Sequence, residues 1–387
     1  MKNSPEPISK LPGVGTSIFT RMSALAQAHG AINLSQGFPD FGCDPALVEG
    51  VHEAMLAGHN QYAPMPGLPL LRTQIALRVA AQYGHSYDPD QEITITSGAT
   101  EALFAAIAAI IHPGDEVVLF EPVYDAYLPA VRLAGGTPRV LPLRPGDFRP
   151  DWDRVRDALG PRTRAILLNF PHNPSGALLG PDDIEALHAL AAVHDCYFIS
   201  DEVYEHIVFD GAAHLSLARY PALVPRSFVI SSFGKSLHTT GWKVGYCLAP
   251  PALTAEFRKI HQFLTFSTST PFQHAIAHYL DRHWDRVLAV GPFYARKRDH
   301  FLRQMTGSGF EALPCPATYF QLMRYDAISQ ADDATFAHWL ATEAGVACVP
   351  LSAFYAGEAP AHIVRFCFAK EDATLEAAGA RLRALGN

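Results

Sequence analysis

The chain has 387 residues, of which 49% are hydrophobic and 18% charged, and its formal net charge is −8. This length supports a large core with a second, smaller domain, and the acidic balance disfavours a nucleic acid or an anionic membrane as partner. Residues 1–10 lack the basic and apolar regions of a secretion signal, and no apolar run of about 18 residues occurs, so we expect a cytoplasmic protein.

The spacing of cysteine and histidine predicts neither a disulfide framework nor a metal site. The six cysteines include no CxxC pair, and Cys196, Cys247 and Cys367 lie in apolar runs, which is typical of buried, reduced thiols. The 18 histidines show no HExxH or similar ligand spacing. The pair Gly13 and Gly15 follows no strand and lacks a third glycine, so it does not indicate a dinucleotide loop.

Residues 1–12 are polar, and we expect them to form an arm that is flexible or wraps a partner subunit. After this arm, short apolar runs alternate with amphipathic stretches as far as residue 283. This alternation predicts an α/β fold around a mostly parallel sheet. The predicted strands are Ile93–Thr96, Glu116–Phe120, Arg139–Leu143, Ala165–Asn169, Tyr197–Ser200, Phe228–Ser232 and Gly245–Ala249. The predicted helices are Thr100–Ile111, Tyr124–Ala134, Pro181–His194 and Thr254–Phe266.

The pattern changes beyond residue 283 and predicts a smaller α+β domain. Its predicted elements are a long helix Trp284–Met305, a strand Tyr319–Met323, a helix Thr335–Ala344, a strand Ile363–Phe368 and a helix Asp372–Leu385. We therefore divide the chain into 1–40 (arm and part of the small domain), 41–283 (large domain) and 284–387 (small domain).

The most informative segment is Ser231–Lys235, with the sequence SSFGK, which follows an apolar strand and precedes Lys243. A lysine on such a turn can form an imine with an aldehyde cofactor, while the nearby hydroxyl and second cation hold a phosphate. For an isolated SxxK motif, the alternative is an exposed lysine beside a serine-rich turn. Three further segments favour the cofactor: Leu167–Gly176 (LLNFPHNPSG), Tyr197–Tyr204 (YFISDEVY) and Val364–Phe368 (VRFCF).

The ordered set NPSG, DEVY, SFGK, GWKVGY and RFCF resembles the fold-type I, pyridoxal-phosphate-dependent aminotransferases of class I, over nearly the whole chain. Within them, the chain is most similar to the kynurenine–glutamine and bacterial methionine aminotransferase branch, which accepts methionine and aromatic amino acids. The segments that carry this likeness are Asn33–Phe41, Asn60–Pro64, Gly241–Tyr246 and His261–Phe266. The resemblance implies a large domain around a mostly parallel seven-stranded sheet, a smaller α+β domain and a homodimer.

The resemblance assigns three residues to catalysis with pyridoxal 5'-phosphate. Lys235 would form the imine and carry the proton, Asp201 would pair with the ring nitrogen, and Tyr204 would bind the 3'-oxygen. Asn173 would share that oxygen, and Tyr124 would stack on the ring. The alternatives from the residues alone are a helix N-cap for Asp201 and a plain turn residue for Asn173.

A strand-to-helix turn at Gly98, Ala99 and Thr100 is expected to hold the phosphate, together with Ser232 and Lys243. Lys243 stands where many aminotransferases have arginine, so a point charge would replace a bidentate contact. The alternative for Thr100 is an ordinary N-cap. By resemblance, Tyr62 reaches the phosphate of the neighbouring subunit, which implies shared active sites.

Arg365 is expected to bind the substrate α-carboxylate, because an arginine in an apolar strand needs an anionic partner. The alternative is an ion pair between strands. Gly37 and Asn173 would also contact the substrate, and its side chain would meet Ile18 and Phe266 as well as three further aromatic residues, Phe38, Tyr62 and Tyr124. No second arginine could be placed against a distal carboxylate, so methionine and aromatic donors, with a 2-oxo acid acceptor, are favoured over aspartate.

Two other functions fit parts of this pattern. A carbon–sulfur β-lyase would use the same fold and cofactor, because both reactions remove the same Cα proton. A non-catalytic ligand-sensing module is the more remote alternative. The resemblance also implies cis peptide bonds at Glu121–Pro122 and Asn173–Pro174, where each turn would aim a side chain at the cofactor.

Overall fold

The structure is a computed structural model that describes residues 7–385. Residues 1–6 of the predicted arm therefore lie outside the described residues. Within residues 7–385, no helix is both long and apolar enough to cross a membrane.

The described residues form helices and strands that alternate through most of the chain. The helices are α1 (Ile18–His29), α2 (Pro45–Leu56), α3 (Pro69–Tyr83), α4 (Ala99–Ile110), α5 (Tyr127–Leu133), α6 (Trp152–Ala158), α7 (Pro181–Val193), α8 (Phe233–Ser236), α9 (Pro251–Leu264), α10 (Thr270–Arg282), α11 (Trp284–Leu288), α12 (Val290–Met305), α13 (Asp333–Thr342) and α14 (Asp372–Arg383). The strands are β1 (Ile32–Asn33), β2 (Ile93–Thr96), β3 (Glu116–Glu121), β4 (Thr137–Pro142), β5 (Thr163–Asn169), β6 (Tyr197–Asp201), β7 (Ser227–Ser232), β8 (Gly245–Leu248), β9 (Glu311–Ala312), β10 (Phe320–Arg324), β11 (Val346–Ala347), β12 (Val349–Pro350) and β13 (Ile363–Cys367).

The seven strands predicted before residue 283 form one seven-stranded sheet in the order β2-β8-β7-β6-β5-β3-β4. Strand β8 runs antiparallel to both of its neighbours, and the remaining pairs are parallel. The predicted α/β fold with a mostly parallel sheet is thus confirmed. The carboxyl ends of β5, β6 and β7 lie at one edge, where ligands bind in sheets of this kind.

The later part of the chain forms an antiparallel four-stranded sheet in the order β12-β13-β10-β9. Strand β1 pairs with β11, so residues 32 and 33 join this C-terminal part. One buried apolar cluster connects α1, through Met22 and Ala26, with Phe336 and Leu340 of α13. The domain boundaries at residues 40 and 283 stay a prediction.

Several helix boundaries differ from the prediction for identifiable reasons. The stretch 284–305 forms two helices, because Pro292 lies in the first turn of α12 and has no N–H to continue the ladder from α11. Helix α5 begins at Tyr127 rather than Tyr124, since the Val123 N–H is bonded to the Phe354 carbonyl and the Tyr127 N–H closes a turn on Tyr124. The prediction also omitted six helices, namely α1, α2, α3, α6, the short α8 and α10.

Candidate active site

A cavity of about 210 Å³ opens at the carboxyl edge of the large sheet. The ends of β5, β6 and β7 form its floor, and the N-terminus of α4 closes one side. Its wall comprises Gly98, Ala99, Thr100, Leu103, Tyr124, Tyr127, Asn169, Asn173, Asp201, Val203, Tyr204, Ser232, Gly234, Lys235, Thr240 and Lys243. Sequence segments that are far apart in the chain, including NPSG, DEVY and SFGK, therefore meet around one space.

The α4 end of the cavity is suited to a phosphate. Gly98 precedes the helix in a left-handed conformation, with φ 79°, and the first-turn N–H groups of Ala99 and Thr100 have no partner within the helix. A Cβ atom on Gly98 would lie 3.3 Å from the Lys243 amine, so this cation sits against the helix N-terminus. Ser232 lines the same end. Because Gly98 is the N-cap, the alternative of a Thr100 cap is wrong.

Lys235 projects into the cavity from α8, with its amine 5.5 Å from the centre of the Tyr204 ring and 5.6 Å from that of Tyr319. Burial lowers its pKa to about 8, and the Lys243 charge contributes in the same direction. About one tenth of this amine is therefore uncharged at pH 7, compared with well under one in a thousand for an ordinary lysine, and the uncharged form is the one that acts as nucleophile or base.

Asp201 lies at the floor of the cavity and is only 4% exposed. Its carboxylate accepts hydrogen bonds from the Tyr127 hydroxyl at 2.5 Å and from the Val203 N–H at 3.3 Å. Burial raises its pKa to about 6, which means that a positively charged partner would stabilise the carboxylate. No helix begins after Asp201, so the alternative of a helix N-cap is wrong.

Tyr127 is a site residue that the sequence interpretation missed. It was placed inside a predicted helix, yet its hydroxyl supports Asp201 and its ring packs edge-to-face on Tyr124 with centroids 5.5 Å apart. No local pattern sets it apart from an ordinary core tyrosine, because its partner Asp201 lies 74 positions away in the sequence. Asn169 was also missed; its side-chain oxygen accepts the Asn173 N–H at 3.1 Å.

Arg365 is fully buried beside the cavity, where aromatic rings rather than carboxylates surround it. Its guanidinium lies 3.8 Å from the centre of the Phe320 ring, 5.1 Å from Phe19 and 5.2 Å from Phe354. It donates to the Asn173 side-chain oxygen at 2.8 Å and to the Ser35 carbonyl at 2.9 Å. Burial lowers its pKa to about 10, so it stays charged at neutral pH.

The surroundings of Arg365 leave it available to an anion. Among residues 7–385, its Nε has no hydrogen-bond partner, and both groups that it contacts are neutral acceptors. The alternative of an ion pair between strands is therefore wrong for the described part of the chain. A buried guanidinium without a carboxylate is costly, which fits a site completed by a substrate carboxylate.

Gly37 is required by the packing around this arginine. A Cβ atom there would come 2.8 Å from the Phe320 ring, the same ring that lies flat on Arg365. The Gly37 carbonyl accepts a hydrogen bond of 2.6 Å from the Tyr319 hydroxyl, a contact that the sequence interpretation did not foresee. Tyr319 also packs edge-to-face on Tyr204, with ring centroids 5.2 Å apart.

Of the residues predicted to meet the substrate side chain, Tyr124 lines the cavity, whereas Ile18, Phe38, Tyr62 and Phe266 are not in its wall. Tyr62 is 83% exposed, Phe38 45% and Phe266 44%, whereas Ile18 is partly buried between the two main cores. The Tyr62 ring packs edge-to-face on Phe266, with centroids 5.4 Å apart. Tyr62, Phe38 and Phe266 thus face solvent, and we call these three side chains the outer aromatic surface.

Both cis peptide bonds predicted from the resemblance, at Glu121–Pro122 and Asn173–Pro174, are present. A third, at Phe170–Pro171, was not predicted. All six cysteines are free, and Cys196, Cys247 and Cys367 are buried, as the apolar runs around them predicted.

Pyridoxal 5'-phosphate fits the groups that surround this cavity. An anion site at the start of α4 lies opposite a buried carboxylate, and an amine of lowered pKa lies between aromatic and amide side chains. These features define an enzyme that binds a phosphorylated aldehyde cofactor and acts on a carboxylate-bearing substrate. The chain belongs to the family of class I and II aminotransferases, whose family model matches residues 29–382. Enzymes of this family depend on pyridoxal 5'-phosphate, and the chain is a transaminase of fold type I.

The relatives differ in the amino acids that their names specify. The chain is 50% identical to methionine aminotransferase of Escherichia coli, covering 100% of each sequence. A solved structure of an Escherichia coli protein identified as a methionine aminotransferase matches with a TM-score of 0.96, at 49% identity, over 98% of this chain and 100% of that one. Probable N-succinyldiaminopimelate aminotransferase of Mycobacterium tuberculosis is 40% identical, covering 98% of both. Human kynurenine–oxoglutarate transaminase 1 is 31% identical, covering 97% of both.

Proposed function

We propose that this aminotransferase transfers the amino group of methionine, and of aromatic amino acids, to a 2-oxo acid. The observation that carries the proposal is the setting of Arg365, a buried cation held among three aromatic rings beside the Lys235 cavity. This arrangement offers one charge for the α-carboxylate and apolar surface for the rest of the donor. The similarity to methionine aminotransferase and to a kynurenine transaminase supports the same substrate class.

Each site residue has a proposed role in that reaction. Pyridoxal 5'-phosphate, when bound, supplies an aldehyde that takes up the amino group and a ring that accepts electrons from the Cα–H bond. Arg365 and Asn173 orient the donor carboxylate, and the Lys235 amine moves the proton at Cα, since its pKa of about 8 lets it both accept and release one. Asp201 holds the protonated ring nitrogen.

The remaining cofactor contacts follow from the wall of the cavity. Tyr204 is proposed to donate to the ring's 3'-oxygen and Tyr124 to cover one ring face. The phosphate lies, in this proposal, against the first turn of α4, with Ser232 and Lys243 completing its contacts. These groups lie at the ends of strands and helices or in the short loops beside them, which keeps the reacting atoms in place.

The outer aromatic surface supports the proposal of a homodimer with shared active sites. Tyr62 is 83% exposed and packs on Phe266, and Phe263, close by in the sequence at the end of α9, is 86% exposed, so large apolar side chains here contact solvent. A second copy of the chain would cover them and bring Tyr62 to the partner's phosphate. Free cysteines throughout the chain agree with a reducing cytoplasm.

A panel of amino donors tests the substrate class. With a 2-oxo acid in excess, methionine and then phenylalanine should exceed aspartate in kcat/KM by at least about tenfold, because burying a thioether or a ring contributes about 1.5–3 kcal/mol. Aspartate would bring a second carboxylate against apolar surface. Aspartate as the best donor would refute the substrate class while leaving the transaminase assignment standing. With a cysteine conjugate as substrate and no acceptor, release of the thiol with pyruvate and ammonia as the main products would instead indicate the β-lyase reaction.

Mixing two variants tests the shared site. Tyr62→Phe chains combined with Lys235→Ala chains should produce hybrid dimers in which one site carries no substitution and the other carries both. If Tyr62→Phe alone is strongly impaired, activity should rise on mixing. No rise would show that each chain completes its own site.

A further inference from the structure

A second buried cluster lies behind the cavity, centred on Glu205. This glutamate is only 7% exposed and belongs to the turn that follows β6. Its carboxylate accepts hydrogen bonds from the hydroxyls of Tyr83 at 2.6 Å, Tyr246 at 2.7 Å and Ser231. The three donors come from α3, β8 and β7, so one side chain connects three separate elements to its own turn.

These hydrogen bonds keep Glu205 in its charged form. Despite its burial, its pKa is lowered, since the neighbouring His206 and the three hydroxyls together outweigh desolvation. His206 is the adjacent titratable group; burial lowers its pKa, and the Glu205 charge acts in the opposite direction. A buried carboxylate that depends on donors from three elements fixes their relative positions strongly, because losing any partner leaves a charge poorly solvated.

The partners of this cluster alternate along the chain with residues of the cavity wall. Ser231 points back to Glu205, whereas Ser232 lines the cavity, as expected for successive residues of a strand. In the same way, Glu205 follows the cavity residue Tyr204, and Ser236 follows Lys235.

Ser236 and Tyr246 extend this alternation to the other elements of the site. The Ser236 hydroxyl lies 3.0 Å from the His206 ring nitrogen, which links α8 to the turn that carries Glu205. Tyr246 follows Gly245, where a Cβ atom would lie 3.0 Å from the Ala99 backbone nitrogen, so β8 packs directly beneath the start of α4.

We propose that Glu205 is a positioning residue for cofactor binding. Its hydrogen bonds fix the positions of the neighbouring residues Tyr204 and Ser232. Through His206 and Ser236 it also fixes the position of Lys235. Its bond to Tyr246 keeps β8 beneath the phosphate end of α4. It touches neither the cofactor nor the substrate. The proposal rests on the cofactor roles given above for Tyr204, Ser232 and Lys235.

Replacing Glu205 with glutamine keeps its size but removes the charge and one acceptor. The Kd of the apoprotein for pyridoxal 5'-phosphate, measured by absorbance titration, should rise at least about tenfold in Glu205→Gln. The KM for the amino donor should stay within about twofold, because Arg365 is anchored by other residues. Ser231→Ala, a milder change at the same cluster, should raise Kd by about threefold. In the double variant, the fold-increase in Kd should be smaller than the product of the two single fold-increases, since the two residues are in contact.

Asp183→Asn serves as the matched control. Asp183 is another buried carboxylate, 2% exposed, that accepts hydrogen bonds from Arg149, Trp152 and the Gly180 N–H, but it is not in the cavity wall. Its replacement should lower the Tm of the apoprotein while leaving the cofactor Kd within about twofold of the unaltered protein.

The outcomes separate this inference from the proposed site. An unaltered protein that fails to bind the cofactor would reject the site itself. Suppose instead that the unaltered protein binds the cofactor. If the Kd of Glu205→Gln is then unchanged, or rises no more than that of Asp183→Asn, Glu205 has a purely structural role. Should Glu205→Gln fail to fold, an unchanged Kd in Ser231→Ala would give the same negative answer.

Discussion

The cofactor end of the cavity and the surface expected to meet the donor side chain differ in how their residues are held. At the cofactor end, Asp201 and Asn173 are at least nine-tenths buried, and each has hydrogen-bond partners within the protein. On the outer surface, Tyr62, Phe38 and Phe266 are about half exposed or more, and Tyr62 and Phe266 pack on each other.

This difference explains how one fold can serve many donors. The cofactor groups stand at the carboxyl ends of sheet strands or a few residues beyond them, and the strand positions are set by ladder hydrogen bonds and by packing on both faces. The outer aromatic residues lie on loops or at helix ends, where sequence changes disturb little else. The relatives agree with this division, because they share the fold at high TM-scores but their names specify different amino acids.

The largest effect is expected from Lys235→Ala, which removes the proton-carrying amine from the buried half. Activity should fall by about 10³-fold or more, within the range of general acid–base catalysis, and the yellow colour of the purified protein should be lost. Lys259→Ala, an exposed lysine paired with Glu256, is the control and should keep both. An unchanged visible spectrum in Lys235→Ala would exclude Lys235 as the attachment point.

The second prediction concerns the pH dependence of stability that Asp201 introduces. Its pKa is raised from 3.8 to about 6 in the folded apoprotein, so folding favours the protonated form. The stabilisation from that proton is present below about pH 4 and is lost as the pH rises to about 6, a change of about 3 kcal/mol, or more than a hundredfold in the unfolding equilibrium.

Asp201→Asn should remove this dependence, so that at pH 7.5 the variant apoprotein unfolds at a higher denaturant concentration than the unaltered apoprotein. The variant should also gain less stability when the cofactor is added, since it offers no carboxylate to the ring. If the unaltered apoprotein and Asp201→Asn lose the same stability between pH 4 and 6.5, the raised pKa of Asp201 would be contradicted.

Arg365→Lys probes the junction between the two regions. Lysine keeps the charge but cannot reproduce the planar fork, so one charge-assisted hydrogen bond of about 2 kcal/mol should be lost and kcat/KM should fall by about thirtyfold. The loss should be similar for methionine, phenylalanine and aspartate, because each carries the same α-carboxylate. A loss confined to one donor would place Arg365 at the side chain instead.

The smallest effect is expected on the outer surface. Phe266 is 44% exposed, so Phe266→Ala should remove only part of a buried ring's contribution, about 1 kcal/mol, and lower kcat/KM for phenylalanine by about fivefold. Aspartate is the internal control and should change less than twofold. An equal loss for both donors would mean that Phe266 supports the site as a whole, which would blur the distinction between the two regions.

Much of the fold could be predicted because its signals are local. Each strand of the large sheet is a short apolar run between turn residues, and all seven were predicted with ends within a few residues of those observed. The omitted helices α2 and α3 begin at Pro45 and Pro69, which are favourable first residues, so a local start signal was present for both.

The sequence by itself determined which chemical groups are present and in what order. The motifs around Asn173, Asp201, Lys235 and Arg365 indicate a phosphorylated aldehyde cofactor, because few other functions need an amine, a carboxylate and an arginine in or beside apolar strands. They could not indicate distances. Residues 192 positions apart, such as Arg365 and Asn173, make a 2.8 Å contact only after the two sheets have packed.

Only the tertiary structure decided which side chains support those groups. Tyr127 beneath Asp201, the Phe320 ring between Gly37 and Arg365, and the hydroxyls around Glu205 carry no local pattern that sets them apart from ordinary core residues. Their roles arise from long-range packing, in which a buried polar or charged group must find its partners from whichever elements lie beside it. Motifs thus revealed the reacting groups, and packing revealed the residues that position them.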